Sequence, residues 1–235
     1  MKTAIALVAL VAVALGVWLS MSPATTADVP GGLTVVELFQ SQGCSSCPPA
    51  NANVNAISDR GDVLALSFAV TYWDQLGWRD TFAKPQYTAR QYAYAHGLHL
   101  GNVYTPQVVI NGRQDLTGIQ RGQLDGAMAH QGRVPSQLIA LNRDVLTIGA
   151  ATSQPAADVW LVRYDRRTLQ VPITAGENNG ATLPHKNIVR ELVHLGSWNG
   201  AAQTFRVAPS PDANFATAVL IETPNCGPIL AAAKF

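Results

Sequence analysis

Cysteine is scarce in this chain: three in 235 residues. That is too few for a disulfide scaffold, so the fold must rest on a hydrophobic core. Charge is scarce as well, at 13% of residues with a formal net charge of +1. With no run of Lys or Arg, there is no electrostatic footprint for nucleic acid. Internal repeats and low-complexity tracts are missing too. What remains is 48% hydrophobic, enough to bury one large core or two smaller ones.

One long uncharged run exists, Ala4 to Leu19, preceded by Lys2 and followed by the small residues Ala24-Thr25-Thr26-Ala27. It reads as a secretory signal peptide over residues 1–27, with cleavage after Ala27. The run is long for a signal core and short for a full span of about 20 residues, so an uncleaved N-terminal membrane anchor is the alternative. Either way the remainder is expected in the periplasm or secreted, where disulfides persist.

In that setting Cys44-Ser45-Ser46-Cys47 is the most informative motif. It follows an apolar run and opens a predicted helix. Two intervening residues in a first turn bring the sulfurs within disulfide distance. Free backbone N–H groups and the helix dipole favour the thiolate of Cys44, expected as the exposed nucleophile, with Cys47 facing the core as the resolving thiol. The same spacing also fits half a zinc site or a permanent disulfide.

Around it the periodicity predicts a strand over Thr34 to Phe39 and a helix over Ser45 to Asp59, with Cys47, Ala50, Val54 and Ile57 on one face. A buried strand follows over Asp62 to Val70, then a helix over Lys84 to His96 stopped by Gly97. Gln107 to Asn111 is a strand, Asn111-Gly112 a hairpin signal, Asp115 to Thr117 a short strand, and Ile119 to His130 a helix. This βαβαββα order, with CxxC opening the first helix, is that of a thioredoxin-like α/β domain, expected over 28–133. Pro106, preceded by Thr105, enters the third strand. In thioredoxin-like proteins a proline there is cis, lies against the sulfurs and leaves the preceding backbone free to pair with a polypeptide.

Beyond the link Gln131 to Pro135, short runs separated by Gly, Pro, Asn or Asp predict seven strands: Gln137 to Leu141, Val145 to Ala150, Ala157 to Tyr164, Lys186 to Leu195, Ala202 to Val207, Asn214 to Glu222 and Pro228 to Ala233. They suggest an antiparallel β-sandwich domain over 134–235. Asp158, Arg163, Arg190 and Glu191 are read as its solvent-facing residues. Gly176-Glu177-Asn178-Asn179-Gly180 is a polar loop, free to fold back on the thiol site or to engage a partner.

The segments Val36 to Ala50, Tyr72-Trp73-Asp74, Leu76-Gly77-Trp78, Val103-Tyr104-Thr105-Pro106-Gln107, Gly176 to Gly180, Asn187-Ile188-Val189-Arg190 and Gly227-Pro228-Ile229-Leu230 resemble the DUF1223 family of exported thioredoxin-like proteins. The resemblance implies a fold and a thiol site over nearly all of the mature chain, and supplies no substrate.

Other residues qualify the site. Many thioredoxin-like oxidoreductases carry a buried acid six positions ahead of the first cysteine. Here Leu38 holds that position and the acid is Glu37, which shares a face with Val35 and Phe39. Glu37 is a candidate proton relay, rivalled by a half-exposed glutamate. Tyr72, Trp73 and Trp78, in the loop after the second strand, are candidate substrate contacts with Thr105. Their rival role is to cap the core. His96 and His99 stand at a helix end and could join Cys44 and Cys47 in binding copper or zinc, although Gly97 interrupts their shared face. Cys226 is left unpaired and is expected to be buried.

The resulting expectation is an exported thiol-disulfide oxidoreductase with no cofactor, acting on thiol- or disulfide-bearing clients with an unidentified redox partner. Cys44 attacks, Cys47 resolves, Pro106 shapes the substrate edge and Glu37 assists. The alternatives are a metal-binding protein using the same thiols and a non-catalytic binding module with a structural disulfide.

Overall fold

A computed structural model describes residues 25–26, 31–151 and 155–235. The expected leader over residues 1–27 lies, apart from 25–26, outside the described residues. Among those described, no helix is long and apolar enough to cross a membrane.

After a two-residue strand β1 (Thr25–Thr26), the chain forms β2 (Thr34–Gln40), α1 (Pro48–Ile57), β3 (Val63–Ala69), α2 (Pro85–Gly97), β4 (Gln107–Ile110), β5 (Gln114–Leu116) and α3 (Arg121–Gln131). From β2 to α3 this is the predicted order. Every residue of β2 and β3 is buried, as their near-continuous apolar runs require of strands covered on both faces. Val36, Leu38, Val63 and Ala65 meet Ala50, Val54 and Ile57 of α1 and Leu124 and Met128 of α3. Val35, Phe39, Leu64, Leu66 and Phe68 meet Tyr87 and Tyr94 of α2 on the other face. Period-two alternation thus sorts β2 between two helical layers. The turn between β4 and β5 places Asn111 at φ +49° and Gly112 at φ +65°, the left-handed pair that a tight hairpin demands.

The helix carrying the cysteines starts later than predicted. Pro48 and Pro49 occupy its first positions, where a missing N–H costs nothing, and Cys47 is its N-cap. Cys44 sits ahead of it in a turn closed by Cys47 N donating to Cys44 O at 3.2 Å.

The second half forms β6 (Ile139–Asn142), β7 (Val145–Ile148), β8 (Ala157–Asp165), β9 (Leu169–Pro172), β10 (Thr182–His185), β11 (Ile188–Trp198), β12 (Gln203–Arg206), β13 (Phe215–Glu222) and β14 (Ile229–Lys234). All seven predicted strands are present, and β9 and β10 are additional. The strands do not make a sheet system of their own. An eight-stranded mixed sheet runs β14-β13-β8-β11-β3-β2-β4-β5 across the expected boundary. It is joined where β11 pairs in parallel with β3 at Ile188 and Ser67. A second sheet, β1-β6-β7-β12, lies over its outer half, where Ile139, Leu146 and Ile148 pack with Val159, Leu161, Val219 and Ile221. Strands β9 and β10 pair only with each other, as a separate ribbon.

Arg163, whose guanidinium donates to the Ala208 carbonyl, is not solvent-facing as expected. It is buried, donates to Thr217 Oγ1 at 3.2 Å and pairs with Glu191 at 3.1 Å. Arg190 is half-buried, with its guanidinium over the rings of Phe82 and Phe215.

Candidate functional site

Cys44 and Cys47 form a disulfide with a Cα–Cα separation of 5.4 Å at the mouth of α1. Neither residue is solvent-accessible, each with 0% exposure. The expectation of an exposed Cys44 is therefore corrected: only Ser45 and Ser46 between them face solvent. Two distant segments close over the turn. On one side is the Thr105–Pro106 bond, which is cis, with the Ser46 hydroxyl donating to Thr105 O at 3.4 Å and within 3.3 Å of Cys44 Sγ.

On the other side is the tip of the β9–β10 ribbon. Asn178 Nδ2 donates to the carbonyl oxygens of Gln42 (2.8 Å) and Cys44 (3.0 Å). Glu177 Oε2 accepts from the Ser45 hydroxyl at 2.7 Å and from Ser45 N at 3.1 Å. Those bonds hold the Glu177 carboxyl below its usual range. Gly176 makes the tip's close approach possible. Its φ is +71°, and a Cβ there would come within 3.1 Å of Trp78 Cβ.

The aromatic segment frames the same site through its polar edges. Trp73 Nε1 donates to Thr105 Oγ1 at 2.8 Å and Trp78 Nε1 to Gln42 Oε1 at 2.9 Å. Tyr72 is set further back, its hydroxyl donating to Gln91, which in turn donates to Tyr104 O. Thr105, Trp73 and Trp78 are thus brought beside the cysteines, with the indole N–H groups spent on positioning.

Three further groups had no local signal in the sequence. Asp80, 3% exposed, accepts from Gln42 N at 2.7 Å and Phe82 N at 2.8 Å, anchoring the loop before the cysteines. Burial pushes its carboxyl up to about 6 against those two bonds. Beneath the motif, Asn51 N donates to Cys47 O at 3.0 Å. The Asn51 side chain donates to Gln40 Oε1 at 3.4 Å. Gln40 Nε2 and Asn51 Oδ1 are buried without a protein partner, a polar pair one helical turn from the resolving position.

Glu37, the expected proton relay, is directed toward α2 and away from α1. It lies on the α2 face of β2, whereas α1 packs on the opposite face. Its carboxylate accepts from Arg90 Nε at 2.8 Å and from the Tyr94 hydroxyl. Arg90 also binds Glu222 at 2.7 Å. Cys226 lies in this core as expected, receives a bond from Arg90 Nη1 at 3.5 Å, and its thiol is pushed up to about 12 by burial. His96 and His99 are exposed at the end of α2. Among the described residues, no three His, Cys, Asp or Glu side chains are placed to share a metal ion.

The fold matches that of protein AGR_C_4864 from Agrobacterium tumefaciens, with a TM-score of 0.67 and 30% identity over 87% of this chain and 94% of that one. HBP35 of Porphyromonas gingivalis matches at a TM-score of 0.57 and 12% identity, over 87% of this chain and 75% of that one, a likeness of fold alone. No curated protein matches the chain. Residues 35–222, which hold the cysteines, the cis proline segment and the ribbon tip, match one family model throughout, and the chain belongs to that family, described as a protein of unknown function (DUF1223).

Proposed function

We propose that the protein is an exported thiol-disulfide oxidoreductase built on a thioredoxin-like βαβαββα unit. The observation that carries this reading is the cysteine pair at the first turn of α1, next to the cis Thr105–Pro106 bond. In the reduced form, the Cys44 thiolate attacks one sulfur of a substrate disulfide and the other sulfur leaves as a thiolate. Cys47 then attacks Cys44 Sγ, the Cys44–Cys47 bond forms, and the substrate leaves with its second sulfur reduced. The Ser46 hydroxyl is within reach to donate to the Cys44 thiolate. Run in reverse, the same steps oxidise a dithiol substrate. Tyr72, Trp73, Trp78 and Thr105 would line the edge met by a polypeptide client, in the periplasm or outside the cell.

The test is the reduction potential of the pair, read by thiol alkylation and intact mass in graded redox buffers. A midpoint among catalytic disulfides, lost in Cys44→Ser, supports exchange. A pair still oxidised below about −300 mV supports a second reading, a binding module with a permanent disulfide, which the complete burial of both sulfurs favours.

A further inference from the structure

The ribbon over the disulfide is built differently from the sheets around it. Strands β9 and β10 share no backbone ladder with either larger sheet. The ribbon leans on α1 through Asn55 Nδ2, which donates to Pro184 O at 3.1 Å, and is seated by buried Ile173, Leu183 and His185. Its turn is closed by Ile173 N to Ala181 O and Gly180 N to Ile173 O. At its far end, the tip touches the cysteine turn through Glu177 and Asn178, with four hydrogen bonds to Gln42, Cys44 and Ser45. Both partners of the Glu177 bonds are on an exposed residue, where water can replace the carboxylate on opening.

We infer that this ribbon is a gate on the cysteine pair: its tip, locked by Glu177 and Asn178, shields the disulfide, and exchange takes place only from the form in which the tip has lifted. In thiol exchange the attacking sulfur must reach the target sulfur along the S–S axis, and a residue with no accessible surface offers no such approach. The rate of exchange is then the intrinsic rate multiplied by the fraction of molecules in the open form. Side chains that hold only the closed form slow exchange without taking part in it, which makes Glu177 and Asn178 positioning residues of the gate. Glu177 also takes up the Ser45 N–H, a donor of the turn that lifting would release beside Cys44. The inference deepens the redox reading as a regulation of that site, and its test needs only that the disulfide be reducible.

The experiment uses the oxidised full chain and follows its reduction by excess dithiothreitol, quenched by alkylation and read by intact mass. Asn178→Ala removes two of the four bonds and is expected to speed reduction about tenfold, a shift of about 1.4 kcal/mol in opening. Glu177→Gln keeps the shape but weakens both bonds to Ser45, for a gain of a few-fold, and the double variant exceeds either. Arg121→Ala, on the exposed face of α3, leaves the rate as it is. A double variant reduced within twofold of the parent chain overturns the gate. So does an equal acceleration in Arg90→Met, a core change away from the ribbon, because that would mark general loosening. If the potential lies below the catalytic range while the tip variants still accelerate, the redox reading fails and the gate stands. A catalytic potential with unmoved rates has the opposite meaning.

Discussion

Arg90 donates to Glu37 through Nε at 2.8 Å in a place where neither side chain is more than 2% exposed. Glu222 faces the same guanidinium from β13, at 2.7 Å. Burial raises the Glu222 carboxyl, and Arg90 opposes the rise. One cation thus ties β2, α2 and β13 together, linking the first half of the chain to the last strands of its large sheet. Two desolvated carboxylates without their partner are far costlier than the three groups together. Arg90→Met is therefore expected to lower the unfolding free energy by about 3–5 kcal/mol, measured by urea denaturation of the oxidised chain. Replacing Arg90, Glu37 and Glu222 together with apolar residues of similar volume should recover most of that loss. If the single change costs under 1 kcal/mol, on the order of an exposed pair, the triad does not act as described.

Glu37 offers a separate check on chemistry. Because it lies on the α2 face of β2, Glu37→Gln should weaken the fold yet leave the midpoint of the Cys44–Cys47 pair within about 30 mV of its starting value, a tenfold change in the exchange equilibrium. The pH dependence of that midpoint should keep its shape. A larger shift, or a titration step that disappears in the variant, would restore Glu37 as a proton relay and contradict the geometry.

The contrast between Glu37 and the cysteines marks how far local sequence reaches. Alternation along Val35-Glu37-Phe39 places Glu37 on one face of β2 correctly, and the prolines and apolar spacing after Cys47 place α1. What Glu37 is buried against is set by Arg90, 53 residues away, which is itself held by Glu222 a further 132 residues along. The same holds for Cys44, whose carbonyl is bound by Asn178, 134 residues later in sequence. Loop Gly176 to Gly180 reads as polar and turn-rich, which describes its composition and not what it touches. Strands β9 and β10 are four residues each, with alternating exposure and no apolar run, so periodicity has too little length to work on. Arg163 misleads for another reason. A charge in a strand suggests a wet face, and the Ala208 carbonyl that receives the guanidinium lies 45 residues on, beyond the reach of periodicity.

The direction of attack proposed for the pair has a direct signature. In Cys47→Ser the resolving thiol is gone, so a mixed disulfide between Cys44 and a small disulfide such as oxidised glutathione should accumulate and be visible by intact mass. In Cys44→Ser only the thiol assigned to resolve remains, as the N-cap of α1, and the adduct should form at least about tenfold more slowly. Cys226 does not confuse the readout, since its thiol, pushed up to about 12, is almost wholly protonated near neutral pH. Equal adducts in both variants would reverse or abolish the assigned roles.

His185, in the last position of β10, carries a pH dependence that can be isolated. It is 1% exposed, packs edge-on to Phe82 at 5.9 Å between ring centroids, and neither ring nitrogen has a protein partner. Burial lowers its pKa from 6.5 to about 4. The unfolded chain thus takes up a proton near pH 6.5, where the folded chain still refuses it, and the unfolded state is favoured progressively as pH falls through this window. The loss grows to about 3 kcal/mol near pH 4 and then levels off. Asp80 works in the opposite sense, since its carboxyl, raised to about 6, is protonated in the folded chain before the unfolded one, so in the parent chain it offsets part of the histidine term. His185→Phe removes the histidine term and keeps a ring against Phe82. Its stability relative to the parent should therefore rise by about 3 kcal/mol between pH 7 and pH 4, measured by urea denaturation across that range. Because His185 seats the ribbon that shields the cysteines, reduction by a small thiol should also speed up on acidification in the parent more than in His185→Phe, once both rates are corrected for the thiolate fraction of the reductant. A stability difference that stays flat with pH would mean that His185 is protonated in the folded chain with a normal pKa, and that the ribbon's base is more open to water than its packing indicates.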